Sequence, residues 1–184
     1  DLKEFEQKAA DLRVLGMKIS IGQDTVYEKY WDEDCRRNIY SASKSFTSCA
    51  VGFAVQEGLI DLDERLMDAF KEDIPNNPDE NLKKATVKDL LTMTLGQEKG
   101  FLMGKQRPRM EEQNWVKASL AIPFVYEPGT HFVYNNVGPY LAGILVQRRA
   151  GCDLLSYLTP RLLKPLGIRK TIWEVDPEGN TFGA

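Results

Sequence analysis

Leu2, Phe5, Ala9 and Leu12 recur three and four residues apart, which predicts an amphipathic helix over the first dozen residues with one apolar side to be covered. VLGMKISIGQDTVYEKYW reads differently. Two β-rich runs flank Gly22-Gln23-Asp24, the sequence form of a hairpin. A pair of strands is marginal alone, so this hairpin is expected to belong to a larger antiparallel sheet. The helical period returns at SASKSFTSCAVGFAVQEGLI, where Phe46, Ala50, Phe53 and Ala54 form one stripe and Gly58 is placed as a stop, predicting a buried central helix. Further helices are predicted over 63–70, over 86–93 with Thr86 as cap and Asp89 three residues on, and over 112–121. Two more are predicted over 136–150 before Gly151 and over 153–163, where Pro160 kinks or ends the helix. Pro, Gly, Asn and charge mark 74–81 and 96–108 as surface loops.

This order of elements predicts an α+β fold in two parts: residues 1–40 as a helix and hairpin of a sheet region, and 41–184 as a mainly helical region. The chain finishes on EVDPEGNTFGA, polar and turn-like, so the expectation is a cut rather than a finished fold, with the C-terminal half of the sheet missing. The hairpin's apolar flank is then expected to be exposed. It would pair with the complementary C-terminal half, or with another copy through open sheet edges.

Composition narrows the function classes. With 42% hydrophobic and 28% charged residues among 184, the chain has the content of a globular protein and excludes disorder or a fibrous repeat. A net charge of -3, mixed along the chain, offers no basic face for nucleic acid. No apolar run approaches the roughly 18 residues of a membrane span, and DLKEFEQKAADLR lacks the apolar stretch of a signal peptide, so the expected location is cytoplasmic. Cys35, Cys49 and Cys152 are odd in number and without CxxC spacing. They read as free thiols, with Cys49 a small buried hydrophobe, and no metal ligand set or cofactor motif is found.

Ser41-Ala42-Ser43-Lys44 fits Ser-x-x-Lys, a spacing that on a helix puts hydroxyl and amine on one face, near enough to share a proton. If Ser41 opens the helix, its backbone N–H also sits at the positive end of the helix dipole, available to an oxyanion. Tyr134-Asn135-Asn136 gives a second pattern, Tyr-x-Asn, after the turn residues Glu127-Pro128-Gly129-Thr130 and before a strongly apolar helix. A phenol can relay a proton when a cation favours the phenolate, and an Asn can fix a lysine or a substrate carbonyl. Taken singly, each pattern also reads blandly: Ser41 as a helix cap, Lys44 as a solvated lysine, Tyr134 as a core aromatic. His131 is the single histidine and no G-x-S-x-G elbow exists, which disfavours a Ser-His-Asp triad. Glu111-Glu112 and Asp61-Glu64 read as solvated helix starts.

The strings IYSASKSFTSCAVGFAVQEGLIDLDERL, ATVKDLLTMTLG and YEPGTHFVYNNVGPYLAGILVQRRAGCDLLSYLTPRLLKPLGI follow one another over most of residues 38–168. Together they resemble successive blocks of the serine β-lactamase-like, penicillin-binding superfamily, which includes class C β-lactamases and family VIII esterases. The resemblance implies a helix-rich half of a β-lactamase-like fold acting without a cofactor on a small-molecule or peptide-like acyl substrate: an amide, an ester or a β-lactam. It implies Ser41 as acylated nucleophile, Lys44 as its proton partner, Tyr134 as base and acid shuttle, and Asn136 as positioning residue. The family's third motif, Lys-Thr-Gly or His-x-Gly, has no match, because Lys170-Thr171-Ile172 and His131-Phe132-Val133 both lack the glycine. Losing the oxyanion donor on that strand costs about 2.7 to 4 kcal/mol, so this stretch alone is expected to be nearly inactive. A non-catalytic binding or sensing module and a purely structural helical domain stand as the alternatives.

Overall fold

The computed structural model describes residues 2–33 and 35–184. The fold is α+β, with eight α-helices and one two-stranded antiparallel sheet among the described residues. It divides into two compact units, Asp1–Asn38 and Ile39–Ala184. None of the described helices is long and apolar enough to cross a membrane.

In the first unit, α1 (Leu2–Asp11) is followed by β1 (Gly16–Ile21) and β2 (Asp24–Tyr30), joined at Gly22-Gln23 as the two β-rich runs predict. The register slips between Ile19 and Ser20, a bulge that sharpens the local twist. The apolar side of α1 is tied to the hairpin by an edge-on contact between Phe5 and Tyr27, with ring centroids 6.3 Å apart. The Glu6 carboxylate accepts from the Tyr27 hydroxyl at 3.1 Å and from Lys29. Ile21 and Val26 remain exposed, so the hairpin keeps an uncovered apolar flank.

The second unit is built around α7 (Val137–Ala150), whose residues Val137 through Gln147 are all buried. A helix apolar on every side has to be enclosed. Here α2 (Ser43–Gln56), α5 (Val87–Thr92) and α8 (Leu154–Leu158) enclose it. Close approach depends on Gly138, where a Cβ would lie 2.3 Å from the Leu90 carbonyl oxygen of α5. The helix stops at Gly151, whose φ of 70° is left-handed backbone that glycine enters without steric cost. Between these lie the short helices α3 (Leu66–Ala69), α4 (Glu80–Lys84) and α6 (Trp115–Leu120). Each predicted cap at α5 is present: the Asp89 carboxylate accepts from both the N–H and the hydroxyl of Thr86, at 2.8 Å each.

Several sequence expectations are corrected. α2 buries Thr47, Ala50, Val51 and Ala54, with Phe46 and Phe53 only partly covered, so its inner stripe is rotated by about one residue from the predicted one. Cys49 is exposed rather than buried. A short helix, 80–84, begins inside the loop predicted over 74–81, because Asp79 caps Leu82 N–H at 2.8 Å with one oxygen and accepts from Phe124 N–H at 2.9 Å with the other. The 153–163 helix changes to a wide π turn at Thr159–Leu163, where Pro160 interrupts the regular ladder. The polar, turn-like stretch near residue 184 packs against the helical core. Phe182 is buried edge-on to Trp115 at 5.8 Å, and Thr47 donates to the Gly183 carbonyl at 2.6 Å. Beneath them the buried Asp176 carboxylate accepts from the Tyr140 hydroxyl at 2.7 Å and from Asn180 N–H at 2.9 Å.

Candidate active site

Ser41 lies in a 3-10 turn, Tyr40–Ala42, and α2 begins two residues later at Ser43. Ser41 therefore does not open the α-helix, as the sequence suggested, but sits on a tighter turn that leads into it. Tyr40 enters that turn with φ of 47°, a left-handed conformation rare for a bulky residue, and so holds Ser41 on a sharp bend. The three-residue offset still places Lys44 beside Ser41: Lys44 Nζ donates to Ser41 Oγ at 3.0 Å. Ser41 is exposed and Lys44 half-buried, so the hydroxyl faces solvent while the lysine stem packs.

Tyr134 reaches the same place from the far side of the chain, with its ring centroid 5.4 Å from Lys44 Nζ. The nearby Ser41 hydroxyl holds Tyr134 below its ordinary value of 10.0; the Lys44 charge adds to this and burial opposes it. A donor and a cation both favouring phenolate leave Tyr134 more readily ionised, and so available to accept a proton, than a free tyrosine. Ser41, Lys44 and Tyr134 are thus drawn together.

Asn136 is placed differently. It is buried, its Nδ2 donates to the Leu102 carbonyl at 3.0 Å rather than meeting Lys44 or Ser41, and its Oδ1 has no hydrogen-bond partner among the described residues. The residues that hold it and its neighbour Asn135 were missed in the sequence. Segment 96–108, expected to be a surface loop, buries Gln97 at 1% exposure and Leu102 at 0%. A lone Gln and a lone Leu between glycines carry no periodicity, so nothing local marked them as inward. No cluster of His, Cys, Asp or Glu suited to a metal ion occurs among the described residues.

A hairpin unit and a helical unit with these elements define the fold class of β-lactamases and penicillin-binding protein homologues. The octameric penicillin-binding protein homologue from Pyrococcus abyssi superposes with a TM-score of 0.69 at 22% identity, over 97% of this chain and 48% of that one. In sequence, residues 3–181 match the beta-lactamase family, and the chain belongs to it. Over 157 residues it is 31% identical to the monacolin J acid methylbutanoyltransferase of Aspergillus terreus, covering 74% of this chain and 37% of that protein. Over 150 residues it is 31% identical to the lovastatin esterase of Penicillium rubens, covering 70% and 37%. The chain thus spans a little over a third of the length of the curated relatives it matches.

Proposed function

We propose that Ser41 is the nucleophile of an acyl-transfer enzyme, with Tyr134 as its base, Lys44 as the fixed cation between them, and Asn136 as a substrate-positioning residue. The observation that carries this is the 3.0 Å hydrogen bond from Lys44 Nζ to Ser41 Oγ beside a phenol held below its ordinary pKa. Because Lys44 donates to the hydroxyl, it serves here as charge and Tyr134 as proton acceptor.

In the first step, the Tyr134 phenolate takes the Ser41 proton as Oγ bonds to the substrate carbonyl carbon and the carbonyl π pair moves onto oxygen. Collapse of that tetrahedral species breaks the bond to the leaving group, which takes the proton from Tyr134, and the acyl group stays on Ser41. In the second step, water or an alcohol gives its proton to Tyr134 and attacks the acyl carbon. Ser41 Oγ leaves and recovers the proton. Water gives hydrolysis and an alcohol gives transfer, so one site accounts for both reaction types named among the relatives, a methylbutanoyltransferase and an esterase. Those names favour carboxylic esters as the first substrates to try, ahead of amides and β-lactams.

The test is pre-steady-state kinetics on the protein at its full natural length with a p-nitrophenyl ester. A burst of one equivalent is expected for the native protein and none for Ser41→Ala. A full burst from folded Ser41→Ala would place the nucleophile elsewhere.

A further inference from the structure

Segment 93–102 touches each of the residues Val133, Tyr134, Asn135 and Asn136. Val133 N–H donates to the Met93 carbonyl at 3.0 Å. Gly100 comes so near that a Cβ there would lie 2.7 Å from the Tyr134 carbonyl oxygen. Asn136 N–H donates to the Phe101 carbonyl at 3.3 Å, and Asn136 Nδ2 to the Leu102 carbonyl at 3.0 Å.

Asn135 is at the centre of these contacts. Its Oδ1 accepts from Phe101 N–H and from Val137 N–H, at 3.0 Å each, so one oxygen joins the loop to the first residue of α7. Its Nδ2 donates to Gln97 Oε1 at 2.7 Å, and Gln97 Nε2 donates to the Ser119 carbonyl of α6 at 2.8 Å. Asn135 is 3% exposed and Gln97 1%, so this relay is shielded from water and leaves each amide committed on both sides. The Tyr134 ring, by contrast, is 44% exposed. Packing holds it only in part, and its place over Lys44 is inherited from the backbone that Asn135 fixes.

We infer that Asn135 is a positioning residue for the acyl-transfer site: its buried carboxamide ties its own stretch to segment 93–102 and to the start of α7, and thereby sets where the Tyr134 phenol meets Ser41 and Lys44. This rests on the function proposed above and deepens it. In a Tyr-x-Asn pattern the middle residue carries no chemistry of its own, yet here it ties three segments to the residues that flank it. Displacing a reacting group by about 1 Å commonly costs ~100-fold in rate.

The experiment compares Asn135→Ala, Asn135→Asp and Gln97→Ala with the native full-length protein. It reads two quantities: the acylation rate against pH with a p-nitrophenyl ester, and the titration of Tyr134 by NMR of carbon-labelled tyrosine, assigned with Tyr134→Phe. In folded Asn135→Ala, acylation is expected to fall by at least about tenfold. The limb reporting the phenol should move to higher pH, and the Tyr134 resonance should titrate nearer its ordinary value. Asn135→Asp, which keeps an acceptor for both N–H groups, should restore most of the rate. Gln97→Ala, which leaves those two bonds intact, should lower stability with the Tyr134 titration in place. If Asn135→Ala does not fold, Asn135→Ser, with its shorter acceptor, is read in the same way. An unchanged Tyr134 titration in the folded variant, or a rate that falls only with the folded fraction, overturns the inference. Absence of acylation in the native protein instead defeats the proposed function, and the NMR titration then decides the positioning role alone.

Discussion

Two glycines within helices should respond oppositely to the same substitution. At Gly52 of α2 an added Cβ meets nothing within 4 Å, whereas at Gly138 of α7 it would stand 2.3 Å from the Leu90 carbonyl oxygen and 3.4 Å from Leu90 Cα. Real Cβ atoms stay beyond 3.0 Å, so α7 or α5 has to retreat by about 0.7 Å, and neither has a flexible side chain at the contact to absorb it. Val137, Leu141 and Leu90 around the contact are all at 0% exposure, so a retreat loosens close-packed core. Ala in place of helical Gly favours the helix by about 0.5–1 kcal/mol, and Gly52→Ala should gain that much. Overpacking costs about 1–3 kcal/mol, so Gly138→Ala should come out net destabilised, roughly 2 kcal/mol or more below Gly52→Ala. Urea unfolding of the two variants reads this as midpoints displaced in opposite directions at equal slope. Because Asn136 directly precedes α7, the Gly138 variant should also be acylated more slowly. A Gly138→Ala protein as stable as Gly52→Ala would refute the contact between α5 and α7 described here.

Replacing Tyr134 with Phe should slow acylation of Ser41 by about 10²–10⁴-fold while leaving thermal stability nearly unchanged, since the ring is half-exposed; an unaltered rate would remove Tyr134 as the base. Burial first, and then its hydrogen bond to Glu57, push Tyr157 up to about 12. The neutral phenol therefore contributes stability that is complete below pH ~10 and is lost as pH rises toward 12, so Tyr157→Phe should flatten that alkaline loss in urea titrations at stepped pH. Tyr140 is also raised, by burial first, and keeps some slope in the variant. Asp176→Ala strands the Tyr140 hydroxyl and the Asn180 N–H in the interior and should destabilise by about 3 kcal/mol or more, with Asp176→Asn costing less; a near-neutral Asp176→Ala would mean the 173–184 segment is not anchored as seen.

Element type was legible wherever period and caps agreed. The hairpin at Gly22, the capping box of Thr86 and Asp89, and the stop at Gly151 each stand where local chemistry put them. Helix faces were harder. α2 is flanked on several sides, so its buried stripe is chosen by small residues that let α7 approach, Ala50 and Ala54, rather than by its two phenylalanines. The site was half legible. The offset from Ser41 to Lys44 can be read off a helical turn, but the approach of Tyr134 requires a tertiary contact across ninety residues, which only the order of family blocks implied. The carboxamide relay from Asn135 through Gln97 was invisible, because buried Asn and Gln look like surface residues until their partners are known. The packing of 173–184 was hidden for the same reason: Asp176 and Asn180 satisfy one another and Phe182 enters the core.

The central claim is that one serine hydroxyl, activated by Lys44 and Tyr134, becomes acylated. It is tested most directly by quenching the full-length protein with acid during turnover of an ester and mapping the adduct by tandem mass spectrometry. The acyl mass is predicted on Ser41, in the peptide Asn38–Lys44. An adduct on Ser43, Cys49 or any residue outside that turn, with Ser41 unmodified, would contradict the account.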